Sequence, residues 1–212
     1  MTLRRCPLVD FPSTRKEGTM AIMAAESGSH GIVQGRPFTV YDLEAMPDDG
    51  NRYELLDGML LVTPAPGTKH QMVVVKLVTA LELECPDDLA VLCAPFAVRP
   101  EVTVELQPDI LVARDEDLTD ANLPVAPFLV VEVLSPSTRL YDLNSKKAAY
   151  ERLGVPSYWV IDPFVPRLTV FNLGGSGEYE LVTKVTGPQA FEAEHPFPVR
   201  VVPAELLPRQ RR

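Results

Sequence analysis

The chain has little cysteine, and what it has does not pair. Cys6, Cys85 and Cys93 are odd in number and match no Cys-x-x-Cys spacing, so neither a disulfide framework nor a structural zinc site is expected. The thiols read as buried or incidental. Histidine is as scarce: His30, His70 and His195 are scattered, which argues against a His-rich metal site. No apolar run is long enough to span a bilayer, and the first residues carry arginines without a continuous apolar stretch. Neither a membrane span nor a signal peptide is therefore expected, and a cytoplasmic, reduced location is the default expectation. Positive charge is also short. The 20 Lys and Arg residues stand against 29 Asp and Glu, a net charge of -9, which counts against nucleic acid as a partner because duplex binding draws most of its affinity from cations meeting phosphates. Two circumstances offset this: a bound divalent metal would cancel part of an acidic site, and Lys69, Lys76, Arg99, Arg139, Lys146 and Lys147 are candidates for one local positive face.

What is present is a substantial apolar fraction, 46% of 212 residues, enough for one sizeable core. Residues 1–35 mix Gly, Ser and charge with little periodicity and are expected to be a flexible leader, with Met20 and Met23 as alternative start candidates. A single domain is expected over 36–207 and a short tail over 208–212. Within the domain, Thr39 reads as the N-cap of a short helix through Met46. Arg52 to Leu56, the Asp57-Gly58 turn and Met59 to Thr63 read as a hairpin. Glu54 lies on its first strand, and an outward-facing strand acid is the plain structural reading. Thr68 to Glu84 is the longest helical candidate, its apolar face formed by Met72, Val75, Leu77, Val78 and Leu81. His70 falls in its first turn, where it serves either as an ordinary capping or surface residue or as a contact to a phosphate or a site acid, because helix N-termini favour anions. Leu89 to Val98 and Val102 to Leu106 read as strands around an Arg99-Pro100-Glu101 turn, and Glu105 as a solvated strand acid.

The informative stretch is Gln107 to Pro163. Two short β-branched runs, a helix and a third apolar run give a strand, strand, helix, strand unit. Asp109 opens the first strand. The second, Phe128 to Leu134, is apolar on both faces and so reads as a central strand, yet Glu132 stands inside it. A buried ionised acid costs several kcal/mol, on the order of a whole domain's margin, unless a cation or strong donors meet it. Glu132 therefore has a partner or stays protonated. At about 100° per residue, Lys146 shares a helical stripe with Ala149, Tyr150 and Leu153 and faces the sheet, while Lys147 is expected in solvent. Asp142 precedes Lys146 by one turn, so the two either pair or hold each other in position. Asp115 to Pro127 reads as a surface loop. Ser135 lies in no Gly-x-Ser-x-Gly elbow, which speaks against a serine hydrolase, and the glycines at 174–177 lack the strand-to-helix context of a phosphate loop.

Two strand acids and an inward lysine suit metal-dependent phosphodiester cleavage: carboxylates hold Mg²⁺, and an ammonium orients or deprotonates a water. At these residues the chain resembles the bacterial "putative restriction endonuclease" family of the PD-(D/E)XK nuclease superfamily. Pro108 and Asp109 stand as the PD and Glu132 as the (D/E). YELLDG at Tyr53 to Gly58, His70, VVEVLSPST, the D-x-x-x-K-x-x-x-Y pattern from Asp142 to Tyr150, and GVPSYWVIDP carry the likeness over roughly Phe38 to Val185. The lysine that the family places two residues after the second acid is Leu134 here, and the resemblance implies that Lys146 takes over its role. It implies further a restriction-endonuclease-like α/β fold with a mixed central sheet flanked by helices, Asp109 and Glu132 as ligands of Mg²⁺ (with Mn²⁺ as a substitute), Glu54 as a third acidic contact, DNA as the substrate, and a homodimer. Two further functions are compatible with the same residues. One is a catalytically silent binding or assembly protein on the nuclease fold, which the acidic charge and Leu134 favour. The other is a metal-dependent hydrolase of a small phosphodiester.

Overall fold

The computed structural model describes residues 21–23, 36–136 and 138–207. Most of the expected leader, with Cys6, Met20 and His30, lies outside the described residues, as does the tail over 208–212. Ala21–Met23 form strand β1. Thr39 opens helix α1, Val40–Leu43, where its hydroxyl and the Asp42 carboxylate cap the turn reciprocally. Asp57 and Gly58 both adopt positive φ, 51° and 77°, as the two-residue turn between strands β2 (Asn51–Leu56) and β3 (Met59–Pro64) requires. Helix α2, Thr68–Glu82, follows.

The expected strand at 89–98 is two strands. Pro95, which cannot donate to a ladder, stands where the chain breaks between β4 (Leu89–Cys93) and β5 (Ala97–Glu101), and these enter different sheets. The expected turn at 99–101 is the end of β5, and Val102-Thr103 makes the reversal into β6 (Val104–Leu106). From β6 the chain turns through Gln107-Pro108-Asp109 into β7, Ile110–Arg114, and changes sheet as it does so. The expected loop after it holds a short strand, β8 (Asn122–Leu123), which pairs with β5 and buries Leu123.

Strand β9, Leu129–Val133, is followed by a continuous helical segment: α3 (Arg139–Tyr141), one π turn (Asp142–Lys146) and α4 (Lys147–Arg152). Strand β10, Ser157–Asp162, then runs parallel to β9, so the segment is a crossover in a βαβ unit. Strands β11 (Arg167–Leu173) and β12 (Tyr179–Thr186) form a hairpin. A small ribbon of β13 (Phe191–Ala193) and β14 (Val199–Val201), and helix α5 (Pro203–Leu206), end the described chain.

One sheet has the order β1-β3-β2-β6-β5-β8, the other β12-β11-β10-β9-β7-β4. The second is mixed, with β9 at its centre and every residue of that strand buried, as two-sided apolar character predicts. Its side chains alternate. Leu129, Val131 and Val133 pack with Val73, Val74, Leu77 and Leu81 of α2. Val130 and Leu134 pack on the opposite face with Tyr141, Ala149 and Tyr150 of the crossover and with Leu56, Leu61 and Leu106 of the first sheet. The apolar face of α2 is therefore rotated from the one expected, leaving Met72 and Val75 exposed. Glu132 shares the face of Val130 and Leu134, which points it at the crossover helix.

Candidate active site

Asp109 and Glu132 come from neighbouring strands, Asp109 just before β7 and Glu132 within β9. The antiparallel register of β7 and β9 pairs Leu111 with Val130 and Ile110 with Val131. Asp109 lies just beyond the last ladder residue, and its Oδ2 accepts the Val133 N–H at 2.8 Å, which continues the ladder through a side chain. The same oxygen meets His70 Nε2 at 2.9 Å, while Oδ1 lies 3.3 Å from Arg52 Nη1. His70, in the first turn of α2, thus contacts the site acid.

Lys146 closes the other side. Its Nζ lies 2.8 Å from Glu54 Oε1 and 3.1 Å from Glu132 Oε1, and all three residues are at most 3% exposed. Glu54 Oε1 also accepts the Gln107 N–H at 2.8 Å, and the Tyr150 hydroxyl donates to Glu132 Oε1 at 3.3 Å. Glu54 is therefore no outward strand acid: it reaches into the site from β2 and ties the first sheet to the second. Among the described residues Lys146 makes no ion pair with Asp142, because the π turn between them departs from the spacing that stacks residues four apart. Tyr158 holds that turn by donating from its hydroxyl to the Asp142 carbonyl at 2.7 Å. The four acids, Lys146, Arg52 and His70 line one cleft of about 970 Å³ between the Pro64–Gly67 loop and the crossover.

The charges in this cleft do not balance. Four buried or nearly buried acids, Glu54, Asp109, Glu132 and Asp142, face two obligate cations, Lys146 and Arg52, and one histidine. Burial pushes Glu132 well above the ordinary carboxylate range; Lys146 opposes this, while Asp109, Asp142 and Glu54 add to it. Burial alone would lower Lys146, but Glu132, Glu54 and Asp142 outweigh it and hold the ammonium well above the usual lysine value. Burial would likewise raise Asp109, yet the His70 hydrogen bond and the charges of His70, Arg52 and Lys146 keep it low. Asp142 is pushed up to about 6 by burial, against Lys146 and a hydrogen bond from Thr138. Such an excess of acid suits a divalent cation with a preference for oxygen ligands. Among the described residues no three His, Cys, Asp or Glu side chains form a group that could enclose a metal ion.

A family model described as "Uma2: Putative restriction endonuclease" matches residues 40–205. The chain belongs to the Uma2 family. Among solved structures, a crystal structure titled as a putative nuclease belonging to DUF820 from Anabaena variabilis ATCC 29413 is similar, with TM-score 0.63 and 17% identity over 80% of this chain and 97% of that one. At that identity the likeness is one of fold, and it agrees with the mixed, helix-flanked sheet described above. No curated protein matches the chain. Leu134 is buried in the core beyond β9, while Lys146 lines the cleft.

Other expectations need correction. Glu105 is not solvated; it is buried and bonded to Arg99 at 2.5 Å. Lys147 does not project into solvent but lies over the rings of Phe171 and Tyr179, 4.9 and 5.2 Å from their centroids. The six basic residues are each held by partners of their own. Lys76 is bound to the carbonyls of Glu205 and Leu207, Arg99 to Glu105 and Glu44, and only Lys69, over Phe164, and Arg139, on Asp162, meet at one turn. Arg52 was missed, although period two places it on the same side of β2 as Glu54.

Proposed function

We propose that this chain is a Mg²⁺-dependent DNA endonuclease that hydrolyses a phosphodiester bond with a water activated in the cleft. The observation that carries the reading is the placing of Asp109 and Glu132 on neighbouring strands, with the Lys146 ammonium shared between Glu132 and Glu54. Asp109 and Glu132 would hold Mg²⁺, or Mn²⁺ in its place, which when bound acidifies a water and offsets charge developing on the phosphate. The protein's own groups do the positioning. Arg52 and His70 fix the Asp109 carboxylate, Tyr150 fixes Glu132, and Glu54 holds Lys146 from the opposite sheet. Because Lys146 keeps its proton, it acts as a donor that orients the attacking water or meets a phosphate oxygen, not as the base.

The test is nicking of supercoiled plasmid with Mg²⁺ or Mn²⁺ by the wild type and by Asp109→Ala and Lys146→Ala, each checked for folding by circular dichroism. Loss of nicking in both variants is expected. Equal activity in all three proteins identifies a contaminant and removes the assignment.

One observation favours a second reading, a catalytically silent protein on the same fold: each site acid but Asp142 already has a cationic partner within 3.3 Å. Calorimetry with Mg²⁺ and Mn²⁺ separates the two, since the silent protein binds neither.

A further inference from the structure

Among the described residues, two buried side-chain polar atoms lack any hydrogen-bond partner, His70 Nδ1 and the Tyr141 hydroxyl. Both residues line the same cleft, the one that holds Asp109, Glu132 and Lys146. A buried polar group is seldom left without a hydrogen-bond partner, so two such groups lining one cleft point to a polar ligand as their partner. Tyr141 is the more telling. It is 8% exposed and packs in the core between β9, β10 and the first sheet, where phenylalanine would fill the same space at no polar cost. It also immediately precedes the π turn that carries Asp142 and Lys146, so its ring is placed by the same local irregularity that shapes the site.

We propose that the Tyr141 hydroxyl is a substrate-binding donor, giving its hydrogen bond to a phosphate oxygen of the nucleic-acid strand held in the cleft. The assignment rests on the nuclease reading and adds a contact that neither the paired acids nor Lys146 provides. The surroundings support a donor role. Burial first, then Glu54, raises the phenol further above its ordinary range, so the hydroxyl keeps its proton and has a hydrogen bond to give. A phosphate oxygen is a strong acceptor, and a bond of this charge-assisted kind is enough to alter affinity by about tenfold, on the order of 1.4 kcal/mol.

The experiment compares full-length wild type with Tyr141→Phe. Thermal melting, binding of a labelled DNA duplex in EDTA by fluorescence anisotropy, and kcat and KM for metal-dependent cleavage are measured side by side. The expected result is an unchanged or higher Tm, because the lost hydroxyl had no partner. Duplex binding weakens and KM rises, each by about tenfold, with kcat changed much less. Unchanged binding and KM in an active protein overturn the Tyr141 assignment alone. A fall in Tm of several degrees overturns it too, because the hydroxyl then has a structural partner. A wild type that neither binds nor cleaves DNA overturns the nuclease reading, and the assignment falls with it.

Discussion

Lys146 Nζ lies 2.8 Å from Glu54 Oε1, and the two residues come from different layers of the fold, the crossover helix and the hairpin of the first sheet. This ion pair joins the two sheets across the cleft and is closed to solvent. Removing one partner of such a pair leaves a buried charge uncompensated, which costs about 3–5 kcal/mol. Lys146→Met is therefore expected to lower the unfolding free energy by about that amount at pH 8 in urea titrations, with the slope of the transition unchanged. A loss below about 1 kcal/mol would mean that the ammonium is solvated.

Asp142 gives the fold a pH dependence of definite sign. Its ordinary value is 3.8 and burial raises it to about 6 in the folded chain. Between those values the folded state keeps a proton that the unfolded state has lost, so stability falls as pH rises through this window. The loss is roughly 3 kcal/mol, about two units at 1.36 kcal/mol each. Asp142→Asn cannot ionise; it is expected to melt above the wild type at pH 8 and to lose that advantage near pH 4. A Tm difference independent of pH would contradict the assignment.

Much of this was legible beforehand, and the limits have physical causes. Glu132 stood out because an acid in a strand apolar on both sides must be explained, and the buried face of Lys146 followed from helical periodicity past the π turn. The π turn itself has no sequence signature and shifts the register before Lys146. The direction of Glu54 was hidden because it depends on a partner about 90 positions away, contributed by another layer. The face of α2 was misplaced because valine at 73, 74 and 75 gives no contrast to periodicity, and β4 and β5 were fused because only Pro95 marks their separation.

Glu105 is also a buried strand acid, but it lies outside the cleft and its partner is Arg99 at 2.5 Å. Its role is structural. Glu105→Ala is expected to cost about 1–3 kcal/mol in urea titrations while leaving plasmid nicking within twofold of the wild type. Loss of nicking in a folded Glu105→Ala protein would move Glu105 into the site.

Gly58 sits at φ 77° in the first hairpin, and a Cβ added there would overlap the Pro37 side chain. Both the left-handed backbone and the close approach require glycine. Gly58→Ala is expected to destabilise by more than about 1 kcal/mol, read as a lower Tm in calorimetric scans. An unchanged Tm would show that the hairpin rearranges freely.

On the proposed function, Asp109 and Glu132 would together hold one divalent ion. The most direct test is a crystal grown with Mn²⁺, with data collected at the manganese absorption edge. An anomalous peak is expected between the two carboxyl groups, absent from crystals of Asp109→Asn. Crystals saturated with Mn²⁺ that show no peak there, with Lys146 still bridging Glu54 and Glu132, would contradict it.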